Sequence, residues 1–85
     1  MHGEQLRAAR ALVRWTLKEL AEKCISEPVS VDTLKKWEAT NGPIRGLAPK
    51  IDAARKALES AGVEFIPENG GGPGVRLKRL GTDQA

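Results

Sequence analysis

Aromatic residues are scarce in this chain: Trp15, Trp37 and Phe65 are the whole set, and there is no tyrosine. With so few, each is expected to anchor packing. A single cysteine, Cys24, excludes a disulfide within the chain and reads as a small buried hydrophobe in a helix. A single histidine, His2, sits at an end expected to fray, so no cluster has the spacing of a metal site. No apolar run is long enough to cross a bilayer and no signal-peptide core is present, which makes a cytoplasmic protein the expectation. Catalytic combinations are equally thin. Cys24 and His2 have no identifiable third partner, and "GGGPG" has neither the following Lys-Ser/Thr nor the strand-loop-helix setting of a phosphate cradle. Neither an enzyme nor a cofactor is implied.

The chain of 85 residues is short enough for one domain and gives a core that a partner subunit would help to stabilise. Apolar residues make up 40%, which argues against a disordered chain. The net charge of +3 favours a polyanionic partner without requiring one.

Periodicity predicts four helices. The first covers residues 4–13, with Leu6, Ala9 and Val13 as its apolar stripe and Arg7, Arg10 and Arg14 around it. Thr16 and Glu19 have capping-box spacing and open a second helix, residues 16–25, with Leu17, Leu20, Ala21 and Cys24 on one side. "ISEPVS" breaks the pattern at Pro28. Ser30 then caps a third helix, residues 30–39, which Leu34 and Trp37 anchor and Asp32 suits in its first turn. The fourth, residues 48–61, places Pro49 in its first turn, lines a face with Ile51, Ala54, Leu58 and Ala61, and stops at Gly62. Beyond it the period changes. "VEFI" and "GVRLKRL", separated by the glycine-rich "PENGGGP", predict a hairpin of residues 63–66 against 75–80.

Two short helices joined by a turn, with small Ala21 in the first and Trp37 late in the second, suggest a helix-turn-helix, in which the second helix can enter a DNA major groove. The texts "LRAARALVRWTLKELAEKC" and "VSVDTLKKWEATNG" resemble the lambda-repressor-like, or Cro/C1-type, helix-turn-helix family of bacterial transcriptional regulators. The similarity covers residues 6–42, and "AGVEFIPENGGGPGVRLKR" resembles the tail of a bacterial subgroup. It implies a mainly α, compact domain of four or five helices over residues 1–62, with residues 63–85 forming the hairpin and a short tail. Two departures stand out. The family often begins its first motif helix with Gln, where this chain has Leu17, and "ISEP" replaces a single Gly, lengthening the turn.

The resemblance implies residue roles. Ser30, Val31, Asp32 and Thr33 match the exposed start of the recognition helix, with Lys36 one turn on, so these five are base-reading candidates. Thr33 can exchange hydrogen bonds and present a methyl to thymine, as Val31 can; Asp32 can accept from cytosine N4 or cap its helix, and Lys36 can meet a base or a phosphate. Thr16, Lys18, Lys35 and Arg45 are phosphate candidates, each also readable as ordinary solvated surface. Leu34 and Trp37 match core positions. Arg10 and Glu38 match a charged pair linking the first helix to the end of the recognition helix.

A single small reader covers little sequence, so a homodimer on a near-palindromic site of double-stranded DNA is expected. Val63, Phe65, Val75 and Leu77 are the dimerisation candidates; alternatively Arg76, Lys78 and Arg79 hold DNA or protect a strand edge. Two functions follow: a sequence-specific regulator, most simply a repressor, associated with the nucleoid when bound; or an antitoxin-like module that uses the same scaffold and hairpin to hold a second protein.

Overall fold

The computed structural model describes residues 1–78. Its elements run α1 (Gly3–Val13), α2 (Leu17–Lys23), α3 (Val31–Glu38), α4 (Ala48–Ser60), β1 (Val63–Ile66) and β2 (Gly74–Leu77). The mainly α domain with a C-terminal antiparallel hairpin is the fold class expected from the periodicity.

Each helix contributes one leucine with no solvent exposure: Leu6, Leu20, Leu34 and Leu58. These meet Val63 of β1 in a common core, joined by Ala9, Cys24, Val29, Trp37 and Ile44. Full burial of a leucine is worth about 1.5–3 kcal/mol, so these side chains hold the helices together more than helix propensity does. Cys24 is buried as expected, but it lies one residue past the end of α2 rather than within it. Its thiol donates to the Leu20 carbonyl at 3.3 Å, and burial pushes its pKa up, keeping it protonated.

Local signals set the helix starts. The Glu19 amide donates to Thr16 Oγ1 at 3.0 Å and the Thr16 amide to Glu19 Oε1 at 2.8 Å, the reciprocal pair read from the sequence. Ser30 Oγ accepts from the Thr33 amide at 3.1 Å and caps α3. Gly62, at φ +103°, carries the chain out of α4 into β1.

Three expectations about the helices and the N-terminus are corrected. Helix α2 ends at Lys23, two residues early, because the Cys24 amide bonds the Ala21 carbonyl in a tighter turn. Ala61 follows the last helical residue and is exposed, while Ala53 and Ala57 supply buried positions on α4 that the stripe missed.

The third correction concerns the N-terminus, which does not fray. His2 bridges Pro43, the Ile44 amide donates to the Met1 carbonyl at 3.0 Å, and the Gly3 amide donates to Gly42 at 2.9 Å. Glu4 accepts from the Gly42 amide at 2.9 Å, a bond that holds its carboxyl below the usual range. Gly3 is required there: a Cβ would overlap the Thr40 and Trp37 carbonyl oxygens.

The hairpin pairs Val63 with Leu77, Glu64 with Arg76, Phe65 with Val75 and Ile66 with Gly74. Strand β2 therefore begins one residue before the expected position and ends at Leu77; Arg79 and Leu80, placed in or beside that strand by the sequence, lie outside the described residues with the tail. Two strands are not stable alone. Val63, Phe65 and Val75 pack against the helices, and Gln5 adds a polar tie. Buried in α1, its Nε2 donates to the Ile66 carbonyl at 3.1 Å and the Gly74 carbonyl at 2.9 Å, while its Oε1 accepts from the His2 amide at 2.8 Å. Gln5→Leu leaves all three backbone groups without that partner. It should cost about 2 kcal/mol, with amide exchange at residues 63–66 and 74–77 accelerating more than in α3. Uniform protection loss would show that the hairpin does not depend on this amide.

Candidate functional site

Helix α3 has two unlike sides. Leu34, Trp37 and Glu38 are buried, whereas Ser30, Val31, Asp32, Lys35 and Lys36 are exposed and Thr33 is half-buried. Helical spacing puts Asp32 and Lys36 one turn apart on one line, and Val31 and Lys35 on the next. Ser30 Oγ also donates to Thr33 Oγ1 at 3.0 Å, so the Ser30 hydroxyl is occupied as donor and acceptor. The Thr33 hydroxyl keeps its own proton to donate.

The buried side is fixed by charge as well as packing. Arg10 of α1 reaches Glu38 with two parallel bonds, Nε to Oε2 at 2.6 Å and Nη2 to Oε1 at 2.9 Å. Its remaining Nη1 donates to the Trp15 carbonyl at 2.9 Å, and Arg7 donates to the Glu38 carbonyl. The Glu38 side chain is only 9% exposed. The hydrogen bonds that Arg10 donates to Glu38 raise the Arg10 pKa further above its already high value. A planar fork of this kind restricts rotation of α3 about its own axis in a way that a single lysine contact would not.

The lengthened turn before α3 is pinned at both ends. Cys24 and Val29 are buried, Lys50 Nζ donates to the Pro28 carbonyl at 2.7 Å, and the extra chain bulges outward at Ile25, which is 88% exposed. The segment "ISEP" therefore forms a bulge on a turn with fixed ends.

The phosphate candidates are all exposed: Thr16 and Lys18 at the start of α2, Lys35 on α3, and Arg45 in the loop after α3. Thr16 commits its hydroxyl to the capping box. Arg45 has fixed neighbours. Ile44 is buried and bonded to Met1, and a Cβ on Gly46 would lie 3.2 Å from the Trp37 ring, which shows how closely the loop approaches that indole.

The hairpin candidates separate. Val63 is 1% exposed and belongs to the core, so its side chain is not available to a partner. Phe65 and Val75 are half-buried against the same core, and Leu77 is 51% exposed. Arg76 forms a two-bond pair with Glu64 at 3.1 and 3.2 Å, which lowers the Glu64 pKa and raises that of Arg76. Lys78 is exposed, and its amide donates to the Gly62 carbonyl at 2.7 Å.

Sequence reasoning missed Gln5, the Arg7 bond to the Glu38 carbonyl, the Lys50 bond to Pro28 and the Met1–Ile44 junction. None has a local signature. Among the described residues, no group of three His, Cys, Asp or Glu side chains is placed to hold a metal ion, and no helix is long and apolar enough to cross a membrane. No family model matches the chain, and no curated protein matches it.

Proposed function

We propose that this protein is a sequence-specific, double-stranded DNA-binding transcriptional regulator of the lambda-repressor-like type, working in the cytoplasm on the nucleoid. The observation that supports it most is the division of α3: a polar strip from Ser30 to Lys36 faces solvent while Leu34, Trp37 and the Arg10–Glu38 fork hold the helix from behind. A reading helix needs both properties, since base contacts must be presented at fixed register. In this reading Val31 and Thr33 offer methyl groups and one hydroxyl proton to base edges. Lys36 reads a base or a phosphate, and Asp32 accepts from cytosine or favours the helix N-terminus. Lys18, Lys35 and Arg45 neutralise phosphates, with Thr16 beside them at the start of α2. Two copies bind a near-palindromic operator, and occupancy of that operator represses.

A dimer is supported by Leu77, half exposed beside the outer edge of β2, which pairs with no further strand among the described residues. The same feature suits an antitoxin-like protein that holds a second polypeptide, and co-purification of a stoichiometric partner would favour that reading.

The charge roles separate from the reading roles in a salt titration. Lys35→Gln and Arg45→Gln should each weaken binding to every duplex and reduce the slope of log K against log salt by about one. Thr33→Val should leave that slope unchanged and alter preference among duplexes. Binding whose salt slope is untouched by either charge variant would contradict the phosphate assignments.

A further inference from the structure

On the side of the molecule formed by the end of α2 and by α4 lies a groove of about 530 Å³. Its floor is Ala53 and Ala57 of α4, and its walls are Trp15 and Ile25. Lys23 and Lys56 stand at it, and among the described residues no carboxylate lines it. The Lys23 ammonium lies 5.7 Å from the centre of the Trp15 ring, a cation–π arrangement that holds this charge over the aromatic wall. Lys56 pairs with Asp52 one turn earlier on α4 at 3.0 Å, but with side chains 62% and 34% exposed this pair is loosely held. Asp52 does not line the groove.

Two features mark this groove as more than a surface irregularity. Its volume falls within the range of small-molecule sites, which are mostly apolar with a few polar groups that fix orientation. Beside the neutral hydroxyls of Ser26 and Ser60, the charged groups that line it among the described residues are both positive. An apolar body fits between the indole and Ile25 over the alanine floor, and the two ammonium groups complement a single negative charge at the mouth. Ile25, at 88% exposure, is the most exposed large apolar side chain among the described residues and would gain cover from such a body.

We infer that the groove between the end of α2 and α4 binds a small amphipathic carboxylate, an aryl or alkyl body carrying one carboxyl group. The site is separate from the exposed strip of α3 and does not depend on DNA binding.

The test uses 4-phenylbutyrate as probe and 4-phenylbutan-1-ol as its uncharged counterpart, read by NMR on the full chain without DNA. The two tryptophans give two indole N–H signals, and Trp15→Phe assigns them. The acid should shift the Trp15 signal saturably while leaving that of buried Trp37 in place, with a millimolar Kd, as expected for a weak probe of this size. The alcohol should bind about fivefold more weakly or worse, and Lys23→Gln combined with Lys56→Gln should remove that preference while leaving the alcohol unchanged. Both lysines are exposed, so the double variant is expected to fold; its helical circular dichroism checks this. No saturable shift by the acid up to about 10 mM would overturn the inference. So would equal binding of acid and alcohol, which would assign the groove to an uncharged apolar partner. A preference for the acid that survives loss of both lysines would overturn it too.

Discussion

Replacing Arg10 with alanine is expected to lower the unfolding free energy by about 3 kcal/mol, an effect out of proportion to a residue on the margin of the core. The reason is the partner left behind. Glu38 is 7% exposed, and without Arg10 its carboxylate remains in that environment with neither of its two side-chain hydrogen bonds. The Trp15 carbonyl loses its bond to Nη1 in the same step. Arg10→Lys keeps the charge but supplies no planar fork, so it should recover only part of the loss. Exchanging both partners, Arg10→Met with Glu38→Leu, should recover most of it, because an apolar pair leaves no uncompensated charge. Urea unfolding of the four proteins decides the matter. If Arg10→Ala unfolds at the wild-type midpoint, the fork is a surface ion pair and does not fix α3.

Trp37→Ala should cost more, about 4 kcal/mol. A domain of 85 residues has roughly 4–13 kcal/mol in total, so the variant is expected to be largely unfolded at the low end of that range. Trp37 is 5% exposed and touches two parts of the structure at once: it belongs to the core beneath α3, and its ring lies against Gly46. Its loss therefore frees both the helix and the loop that carries Arg45. Trp37→Phe keeps an aromatic ring and should cost about 1–2 kcal/mol, with the remaining tryptophan, Trp15, as fluorescent reporter. A Trp37→Ala protein with a wild-type unfolding midpoint would contradict its place in the core.

The expected effects differ in kind from those at the exposed strip. Val31, Asp32, Lys35 and Lys36 make no described side-chain hydrogen bond within the fold, so their substitution is expected to change stability by no more than about 0.5 kcal/mol. A change in DNA binding without a change in stability is what separates a contact from a support. Arg10 and Trp37 are supports.

What the sequence disclosed follows from the range over which each signal acts. Leu6, Leu20, Leu34 and Leu58 recur at helical spacing within their own segments, and all four are fully buried. The caps at Thr16 and Ser30 are bonds across three residues, visible in a window of four. The Arg10–Glu38 pair joins residues 28 apart and was visible only through family resemblance. Gln5 had neither kind of signal. A glutamine near the start of a basic helix looks like solvated surface, and only the arrival of the hairpin, 61 and 69 residues later in the chain, makes its amide necessary. The N-terminal junction with Gly42 and Ile44 is hidden for the same reason. Val63 was misplaced because alternation gives the apolar face of a hairpin but not what covers it; here the helices of the same chain do.

The proposal that α3 reads DNA sequence is tested by selecting bound duplexes from a random pool at physiological salt and sequencing the bound fraction. The expected outcome is enrichment of an inverted repeat whose half-sites lie about one helical turn apart, with Thr33→Val shifting the preferred bases within each half-site. A folded preparation that enriches no sequence above the starting pool would contradict it.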